Sequence, residues 1–307
     1  MGKFLISVII RSYKRKEIKD CLLNLIANRE TEDVEIIVVD NTISGYAKEI
    51  VEKIRKMSNI PIKYFIQPII SASKTANLGI EKSEGEIIAF IDDDAIPEKN
   101  WIKEIKETFV KEGVDIVGGK VLLKYPEKEI PSWINGELEK TLGKVDLGDR
   151  FRKMKRKEFP VLMNFAIRKK VFEKIGKFPE KLGYQKDKFF GSEETAFAIL
   201  ARKKGYQIYY NPDMIVYHQI TPERLKRRYF LRKKFWEGRA LFVMNKMFYP
   251  VIFIIFIFIF RTFIVIPILT ASLFLTIFSP KKEALRIIIL CKIFRNLGYF
   301  LQSFQIY

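Results

Sequence analysis

The chain has 307 residues, of which 48% are hydrophobic, and its formal net charge is +19. This length predicts one large domain or two modest ones, with ample material for a buried core. The two cysteines, Cys21 and Cys291, lie far apart, so nothing indicates a disulfide framework or a zinc site. The positive charge is compatible with nucleic acid, an anionic membrane surface or anionic substrates as partners.

In the first third of the chain, apolar runs alternate with helical patterns. The predicted strands are 5–10, 34–39, 62–67 and 87–91, and the predicted helices are 16–28, 46–57, 73–83 and 101–111. Strands separated by helices of this length are typical of an α/β fold with a doubly wound, mostly parallel sheet. Right-handed crossovers bring the ends of such strands to one edge, so Asp40 should lie near the acids that follow residue 91.

The middle of the chain is less regular. After a predicted strand at 115–123, residues 125–158 contain prolines, glycines and a basic cluster with little periodicity. Long irregular insertions of this kind are often lids or substrate loops. Regular patterns return as strands at 161–167 and 207–210, and as helices near 171–175 and over 193–204.

Three consecutive carboxylates, Asp92, Asp93 and Asp94, follow the strand at 87–91. In open α/β sheets, ligands bind where buried strands end. Adjacent negative charges repel one another unless a cation or hydrogen-bond donors share the site, and oxygen ligands suit Mg²⁺ or Mn²⁺. The triplet therefore predicts a metal-bound nucleotide diphosphate. The alternative is a solvated acidic loop in which Asp94 caps the next helix.

The last part of the chain predicts membrane contact. Residues 248–278 are almost wholly apolar, and the stretch from Arg224 to Arg239 before them has eight Lys or Arg residues against one acid. Cations beside a long apolar segment favour an anionic membrane over nucleic acid. Since no nucleic-acid recognition motif is present either, nucleic acid is excluded as a partner.

The 31 residues of this apolar segment would form a helix about 46 Å long, whereas a bilayer core is about 30 Å thick. Arg261 interrupts the segment and Pro267 can bend it, so a long tilted helix and a tight hairpin both fit. Basic residues flank it on both sides, and positive charge favours the cytoplasmic face, so the hairpin satisfies this rule better. Residues 284–301 predict an interfacial helix. The alternative is a hydrophobic helical pair packed on the rest of the protein or in an oligomer.

Six short motifs occur in order over roughly residues 4–220. They are ISVIIRSYKR at 6–15, VVDN at 38–41, ANLG at 76–79, DDD at 92–94, NFAIR at 164–168, and GSEE to RKKGY over 191–206. Together these motifs resemble the family 2 glycosyltransferases with the GT-A fold. Each motif alone is weakly specific, whereas six in this order are a strong match.

The resemblance implies a nucleotide-sugar donor. In that family the acid at the end of the second strand holds the nucleobase, so Asp40 is the candidate here, with Ser12 and Tyr13 lining the base pocket. Lys74 and Asn77 become candidates for contacts to phosphate or ribose. The alternative for these two is a solvated lysine and an ordinary polar residue near a helix N-terminus.

The resemblance also implies roles for the acid triplet. Asp93 contacts the ribose, and Asp92 and Asp94 belong to the metal site, with Asp94 as the direct ligand of Mg²⁺ or Mn²⁺. A divalent ion there stabilises the charge that develops on the leaving diphosphate. His218 is the only histidine, and many GT-A enzymes have a histidine near this point against the metal or diphosphate. A lone histidine after a strand is also commonly structural.

Glu193 and Glu194 stand where the family has an acidic pair at the start of a helix. Inverting transfer needs a base near the acceptor hydroxyl, and Glu194 is that candidate, with Glu193 as the second choice. The alternative is a pair of first-turn acids favoured by the helix dipole. Asn164 is predicted to border the donor sugar. Trp133 is a candidate to stack on a sugar ring, the alternative being local aromatic packing.

The chain departs from the family pattern at three positions. Glu194 replaces the common aspartate and lengthens the base by one methylene group. Ala76 stands where an arginine often precedes the asparagine, and Ala196 stands where a second acid is common. The first departure affects the positioning of the base and the second weakens inference about phosphate contacts; none removes the nucleotide site.

These observations predict a membrane-anchored, metal-dependent, inverting glycosyltransferase with its catalytic domain in the cytoplasm. Its partners would be a nucleotide-sugar donor, a lipid-linked or membrane-proximal acceptor and an anionic membrane. The predicted organisation is a catalytic domain at 1–222, a basic juxtamembrane helix at 223–247, a membrane segment at 248–279 and an interfacial helix at 280–307. The alternative function is a non-catalytic nucleotide-binding GT-A protein that assembles with membrane partners.

Overall fold

A computed structural model describes residues 5–127, 130–186, 188–276 and 282–304. The described residues form two compact units. The sheet unit lies within Met1–Lys124, Gly143–Glu180 and Glu193–Gln219, and the helical unit lies within Tyr125–Leu142, Lys181–Ser192 and Ile220–Tyr307. Two segments from the middle of the chain therefore belong to the same unit as the C-terminal helices. The predicted domain boundary at residue 222 stays a prediction.

The elements follow the predicted alternation of strands and helices. The strands are β1 Ile6–Ser12, β2 Val34–Asp40, β3 Ile62–Ile66, β4 Ile87–Asp92, β5 Ala95–Pro97, β6 Ile116–Lys124, β7 Arg152–Lys153, β8 Asn164–Arg168 and β9 Tyr209–Gln219. The helices are α1 Ile18–Ile26, α2 Lys48–Arg55, α3 Ala72–Lys82, α4 Trp101–Lys111, α5 Gly136–Thr141, α6 Lys169–Ile175, α7 Glu193–Lys203, α8 Arg227–Phe248, α9 Val251–Phe260, α10 Ile266–Phe274 and α11 Glu283–Ser303.

The strands form one mixed sheet with the order β3-β2-β1-β4-β8-β6-β9-β5, and β7 pairs with β9. The half from β3 to β4 is parallel. In the other half, β8 is antiparallel to both β4 and β6, whereas β6 and β9 are parallel. The predicted α/β fold with a mostly parallel sheet is confirmed.

Both faces of this sheet are buried. In β1, Val8 and Ile10 belong to one hydrophobic core and Ile9 belongs to the other. The first core receives side chains of α1, α2 and α4, and the second receives those of α3, α6 and α7. A strand covered on two faces has no solvent-facing positions, which explains the continuous apolar runs of the sequence.

The last strand of the sheet unit, β9, is longer than predicted. The prediction ended this strand at residue 210, whereas β9 continues to Gln219. Its pairing with β6 shifts register between Asn211 and Ile215, opposite Gly119 and Lys120. Pro212 falls in this irregularity, where a missing backbone N–H is tolerated. The extension carries His218 into the sheet.

In the helical unit, α8 and α11 cross with their backbones in contact. A Cβ atom added to Gly238 would lie 1.9 Å from the carbonyl oxygen of Arg295, and one added to Gly298 would lie 1.9 Å from that of Phe235. Only glycine fits at either position. The contact resembles the small-residue crossings that allow two helices to approach closely.

The apolar segment is continuously helical from Val251 to Phe274. A wider π-type turn at Arg261–Val265 joins α9 to α10, and Pro267 lies in the first turn of α10. The side chain of Arg261 donates a hydrogen bond to Asn296 Oδ1 at 2.8 Å. The predicted hairpin is therefore wrong for the described residues: the π-type turn accommodates the proline, and the arginine finds its partner on α11. Residues 277–279 of the predicted segment lie outside the described part.

We expect Gly298→Val to destabilise the helical unit by about 1–3 kcal/mol, because the added side chain forces α11 away from the Phe235 carbonyl. The loss is measured as a lower midpoint of thermal unfolding of the full chain in detergent. Gly136→Ala is the matched control, since a Cβ at Gly136 has no heavy atom within 4 Å. Equal midpoints for the two variants would contradict the close crossing.

Candidate active site

The ends of three parallel strands meet at one edge of the sheet. In the pairing of β1 with β4, Arg11 lies opposite Asp92. In the pairing of β1 with β2, Ser12 lies opposite Asp40. The predicted convergence of Asp40 with the acid triplet at one edge is confirmed.

Arg11 links the end of β4 to the start of α7. Its Nε and Nη2 atoms donate to Asp92 Oδ1 at 3.1 and 2.6 Å, and Nη1 donates to Glu193 Oε1 at 3.2 Å. The Arg11 and Glu193 side chains are largely buried. One guanidinium therefore neutralises two carboxylates that are about a hundred residues apart in sequence. Because these side chains are largely shielded from water, their charge-assisted hydrogen bonds are strong.

Arg15 bridges the other two acids of the triplet. Its Nη1 atom lies 2.7 Å from Asp93 Oδ1 and 2.9 Å from Asp94 Oδ2. The second oxygen of Asp93 accepts a hydrogen bond from the backbone N–H of Tyr13 at 2.9 Å. Burial raises the pKa of Asp93, and the neighbouring acids raise it further, while Arg15 opposes the shift. The alternative of a solvated acidic loop is excluded, because Asp93 and Asp94 are buried.

His218 reaches the triplet from β9. The residue pairs with Ala95 of β5, and its Nε2 atom lies 3.3 Å from Asp94 Oδ2. Both side chains are buried. A carboxylate oxygen and an imidazole nitrogen suit Mn²⁺, and a carboxylate suits Mg²⁺.

Asp94 and His218 would provide two ligand atoms to a metal ion, which is fewer than a complete coordination shell needs. Among the described residues, no three His, Cys, Asp or Glu side chains are arranged to hold an ion. Asp92, the other predicted metal residue, is paired with Arg11. Mg²⁺ commonly binds through one or two carboxylates and completes its shell with substrate phosphates and water. Asp94 and His218 therefore fit a metal that arrives with a diphosphate.

Glu193 and Glu194 form the first turn of α7. Glu193 is buried against Arg11, whereas Glu194 is partly exposed. Burial raises the pKa of Glu194, and the adjacent Glu193 carboxylate raises it further. A carboxyl group with a raised pKa is suited to accept and release a proton near neutral pH.

Asp40 organises the loop after β2. Its Oδ1 atom accepts a hydrogen bond from the Thr42 hydroxyl at 2.7 Å, and Oδ2 accepts from the Ala47 N–H and the Tyr64 hydroxyl at 2.7 and 2.8 Å. The side chain is fully buried. Its predicted contact to the nucleobase stays a prediction. Beside it, the buried Ser12 hydroxyl has no hydrogen-bond partner among the described residues and is available to a ligand.

Asn164 holds strands together at the centre of the sheet unit. Its Oδ1 atom accepts from Trp101 Nε1 at 2.9 Å, and Nδ2 donates to the carbonyls of Lys120 and Met214 at 2.8 and 2.7 Å. All of these contacts join β8 to β6, β9 and α4. Its predicted place beside the donor sugar stays a prediction.

The remaining predicted residues have partners of their own. Asn77 exchanges two hydrogen bonds with the backbone of Phe178, at 2.9 and 3.0 Å. The Nζ atom of Lys74 lies 3.7 Å from Oε2 of Glu180. In the helical unit, Trp133 packs edge-on against Phe230 with ring centroids 5.2 Å apart. Among the described residues, neither Asn77 nor Lys74 is paired with the acid triplet or its arginines.

The site residues predicted from the sequence did not include the two arginines that pair with the acid triplet. Arg11 and Arg15 stand in the first motif, but sequence reasoning gave neither a role. The available signal was the pair of arginines at the end of β1 and in the loop after it, close to the acids at the end of β4. Its meaning depends on the strand register, which the sequence pattern does not specify.

A family model described as glycosyl transferase family 2 matches residues 7–176, more than half of the chain. Glycosyltransferase AglE of Haloferax volcanii is 27% identical over 238 residues, which cover 74% of this chain and 72% of that protein. The GalNAc(5)-diNAcBac-PP-undecaprenol beta-1,3-glucosyltransferase of Campylobacter jejuni is 26% identical over 210 residues, covering 66% and 62%.

A solved structure shares the fold. Mannosyltransferase PcManGT from Pyrobaculum calidifontis, determined with GDP-Man and Mn²⁺, superposes with a TM-score of 0.62 at 13% identity, over 97% of this chain and 88% of that one. The sheet order, the acids at the strand ends and the family match agree. The chain belongs to glycosyl transferase family 2 and is a nucleotide-sugar-dependent glycosyltransferase with a GT-A fold.

Proposed function

We propose that this enzyme transfers a sugar, with inversion and with Mg²⁺ or Mn²⁺, to a lipid-linked saccharide or polyprenyl phosphate at the cytoplasmic face of a membrane. The observation that carries the proposal is the Asp94–His218 pair on the same sheet edge as the Glu193–Glu194 turn. The Campylobacter relative, whose name specifies an undecaprenol-linked substrate, supports the lipid-linked acceptor. The structure solved with GDP-Man and Mn²⁺ supports the metal.

The donor would bind along the ends of β1, β2 and β4. Ser12 and Tyr13 would line the base pocket near Asp40, and Asp93 would receive the ribose. Asp94 and His218 would hold the metal, which stabilises the negative charge of the leaving diphosphate when bound. Fixed groups at this edge need little rearrangement as that charge develops.

Glu194 would act as the base for the acceptor. Its ionised carboxylate accepts the proton of the acceptor hydroxyl while that oxygen bonds to the anomeric carbon and the bond to the diphosphate breaks. Attack from the face opposite the leaving group gives inversion. Arg11 would hold Glu193 in place beside the base, because its Nη1 atom lies 3.2 Å from Oε1 of Glu193.

The apolar helix would lie in one leaflet of the membrane. The rings of Phe258 and Phe300 stack with their centroids 5.3 Å apart, and Arg261 donates a hydrogen bond to Asn296. The later residue of the apolar helix contacts the earlier residue of α11, so the two helices lie side by side and run in opposite directions. If the apolar helix crossed the bilayer, the exposed Lys292 and Arg295 of α11 would enter hydrocarbon, at a cost of about 2.5–3.5 kcal/mol each. An in-plane position leaves the cations among anionic headgroups.

The non-catalytic alternative of the sequence analysis does not fit the family 2 match and the glycosyltransferase relatives.

Asp94→Asn should lower sugar transfer by about a hundredfold or more, because the variant loses a charged metal ligand while keeping its size. The measurement is release of UDP or GDP from a panel of nucleotide sugars, with Mn²⁺ and a polyprenyl phosphate acceptor. Asp20→Asn, at an exposed position of α1, is the matched control. EDTA should abolish turnover in the wild type, and full activity in EDTA would disprove metal dependence.

Glu194→Gln should retain nucleotide binding and lose about 10²–10⁴-fold in transfer, because an amide cannot accept the acceptor proton. Since the pKa of Glu194 is raised, the wild-type kcat should rise with pH around neutrality as this carboxyl ionises. Glu193→Gln removes the adjacent negative charge, which lowers the pKa of Glu194 and shifts this rise to lower pH. An inactive Glu193→Gln with an active Glu194→Gln would make Glu193 the base.

Fluorophores on cysteines introduced at Ile252, Phe263 and Phe274, which share one face of the helix and are all strongly exposed, should show similar depths in anionic vesicles. The native cysteines are buried, so labelling is selective, and depth is measured by quenching with brominated lipids. A label at Lys19 of α1 is the control and should stay unquenched. A crossing helix would instead give a deep central label and two shallow ends.

A further inference from the structure

We propose that Arg15 is an internal cation that occupies the metal-binding oxygen of Asp94 in the free enzyme and is transferred to the diphosphate when donor and metal bind. This inference rests on the metal-dependent function proposed above. It assigns Arg15 a position in the reaction cycle and makes metal binding dependent on the nucleotide.

The first observation is the sharing of one oxygen atom. Asp94 Oδ2 lies 2.9 Å from Arg15 Nη1 and 3.3 Å from His218 Nε2. An ion held by Asp94 and His218 would therefore meet the guanidinium at the same oxygen. A monovalent and a divalent cation repel each other strongly at such a distance in a buried site. Arg15 has to leave Asp94 Oδ2 before a metal could use that oxygen.

The second observation is the difference in freedom between the partners. The side chains of Asp93 and Asp94 are 1% and 4% exposed, whereas that of Arg15 is 38% exposed. Arg15 lies between the end of β1 and the start of α1, outside regular structure. The two acids are fixed at the sheet edge, and the arginine is the partner that can move.

Both states of Arg15 are favourable for a physical reason. In the free enzyme, two adjacent buried carboxylates need a cation, and Nη1 contacts both of them. In the complex, the metal supplies that charge and the donor brings two phosphates. A planar guanidinium binds phosphate oxygens through parallel hydrogen bonds. Metal and nucleotide should therefore bind cooperatively, and Arg15 transmits the coupling.

The test is binding of Mn²⁺ to the full chain in detergent, measured from the free-ion signal in electron paramagnetic resonance, without substrate turnover. Wild type should bind Mn²⁺ weakly alone and about tenfold more tightly with saturating UDP or GDP. Arg15→Gln should bind Mn²⁺ about tenfold more tightly than wild type without nucleotide, and should lose most of the enhancement. Arg29→Gln, at an exposed arginine, should behave as wild type.

Arg15→Lys provides a second variant that keeps the charge on a shorter side chain, so its ammonium group should contact Asp93 and Asp94 less well than Arg15 Nη1 does. Its affinity for Mn²⁺ without nucleotide should lie between those of wild type and Arg15→Gln. If both variants are folded and bind Mn²⁺ as wild type does, while nucleotide still enhances binding, the role of Arg15 is disproved and the metal site stands. If no protein binds Mn²⁺ even with UDP or GDP, the proposed metal dependence fails and Arg15 has no metal to displace.

Discussion

Repulsion among Asp92, Asp93 and Asp94 is the constraint around which this end of the sheet is organised. A buried carboxylate without a partner costs several kcal/mol, so each acid needs a cation or a donor. Arg11 and Arg15 supply the cations. These partners come from the end of β1 and the loop after it. The site therefore requires β1 and β4 to end side by side, which the parallel pairing provides.

The same charge balance connects the two halves of the proposed reaction. Arg11 contacts Asp92 at the donor end and Glu193 at the base end. Loss of either contact would leave a largely buried charge uncompensated on the other side. The raised pKa of Glu194 has a related origin, since burial and the negative Glu193 both disfavour its ionised form. In the proposed reaction, donor binding and proton transfer would thus depend on one network of carboxylates with few cations.

The helical unit meets a different requirement, since it combines a highly apolar helix with charged ones. Gly238 and Gly298 let α8 and α11 approach until their backbones touch. Asn296 and the ring of Tyr299 then satisfy Arg261, whose guanidinium carbon lies 4.7 Å from that ring. Apolar side chains of α9 and α10 remain exposed on the other side. Such a combination fits the membrane surface proposed above.

Local patterns in the sequence were sufficient to predict the α/β class, the helices and strands of the parallel half, and the acid triplet at a strand end. These features follow from hydrophobic periodicity and from consecutive acids, which can be seen within a few residues. The family resemblance added predicted roles for those residues. The tertiary structure decided the rest: Pro212 lies within a longer β9, Asn164 joins strands, and the apolar helix continues past Arg261 because Asn296 lies opposite. Each of these outcomes depends on a partner far away in the chain, which only strand register and helix packing bring within hydrogen-bond distance.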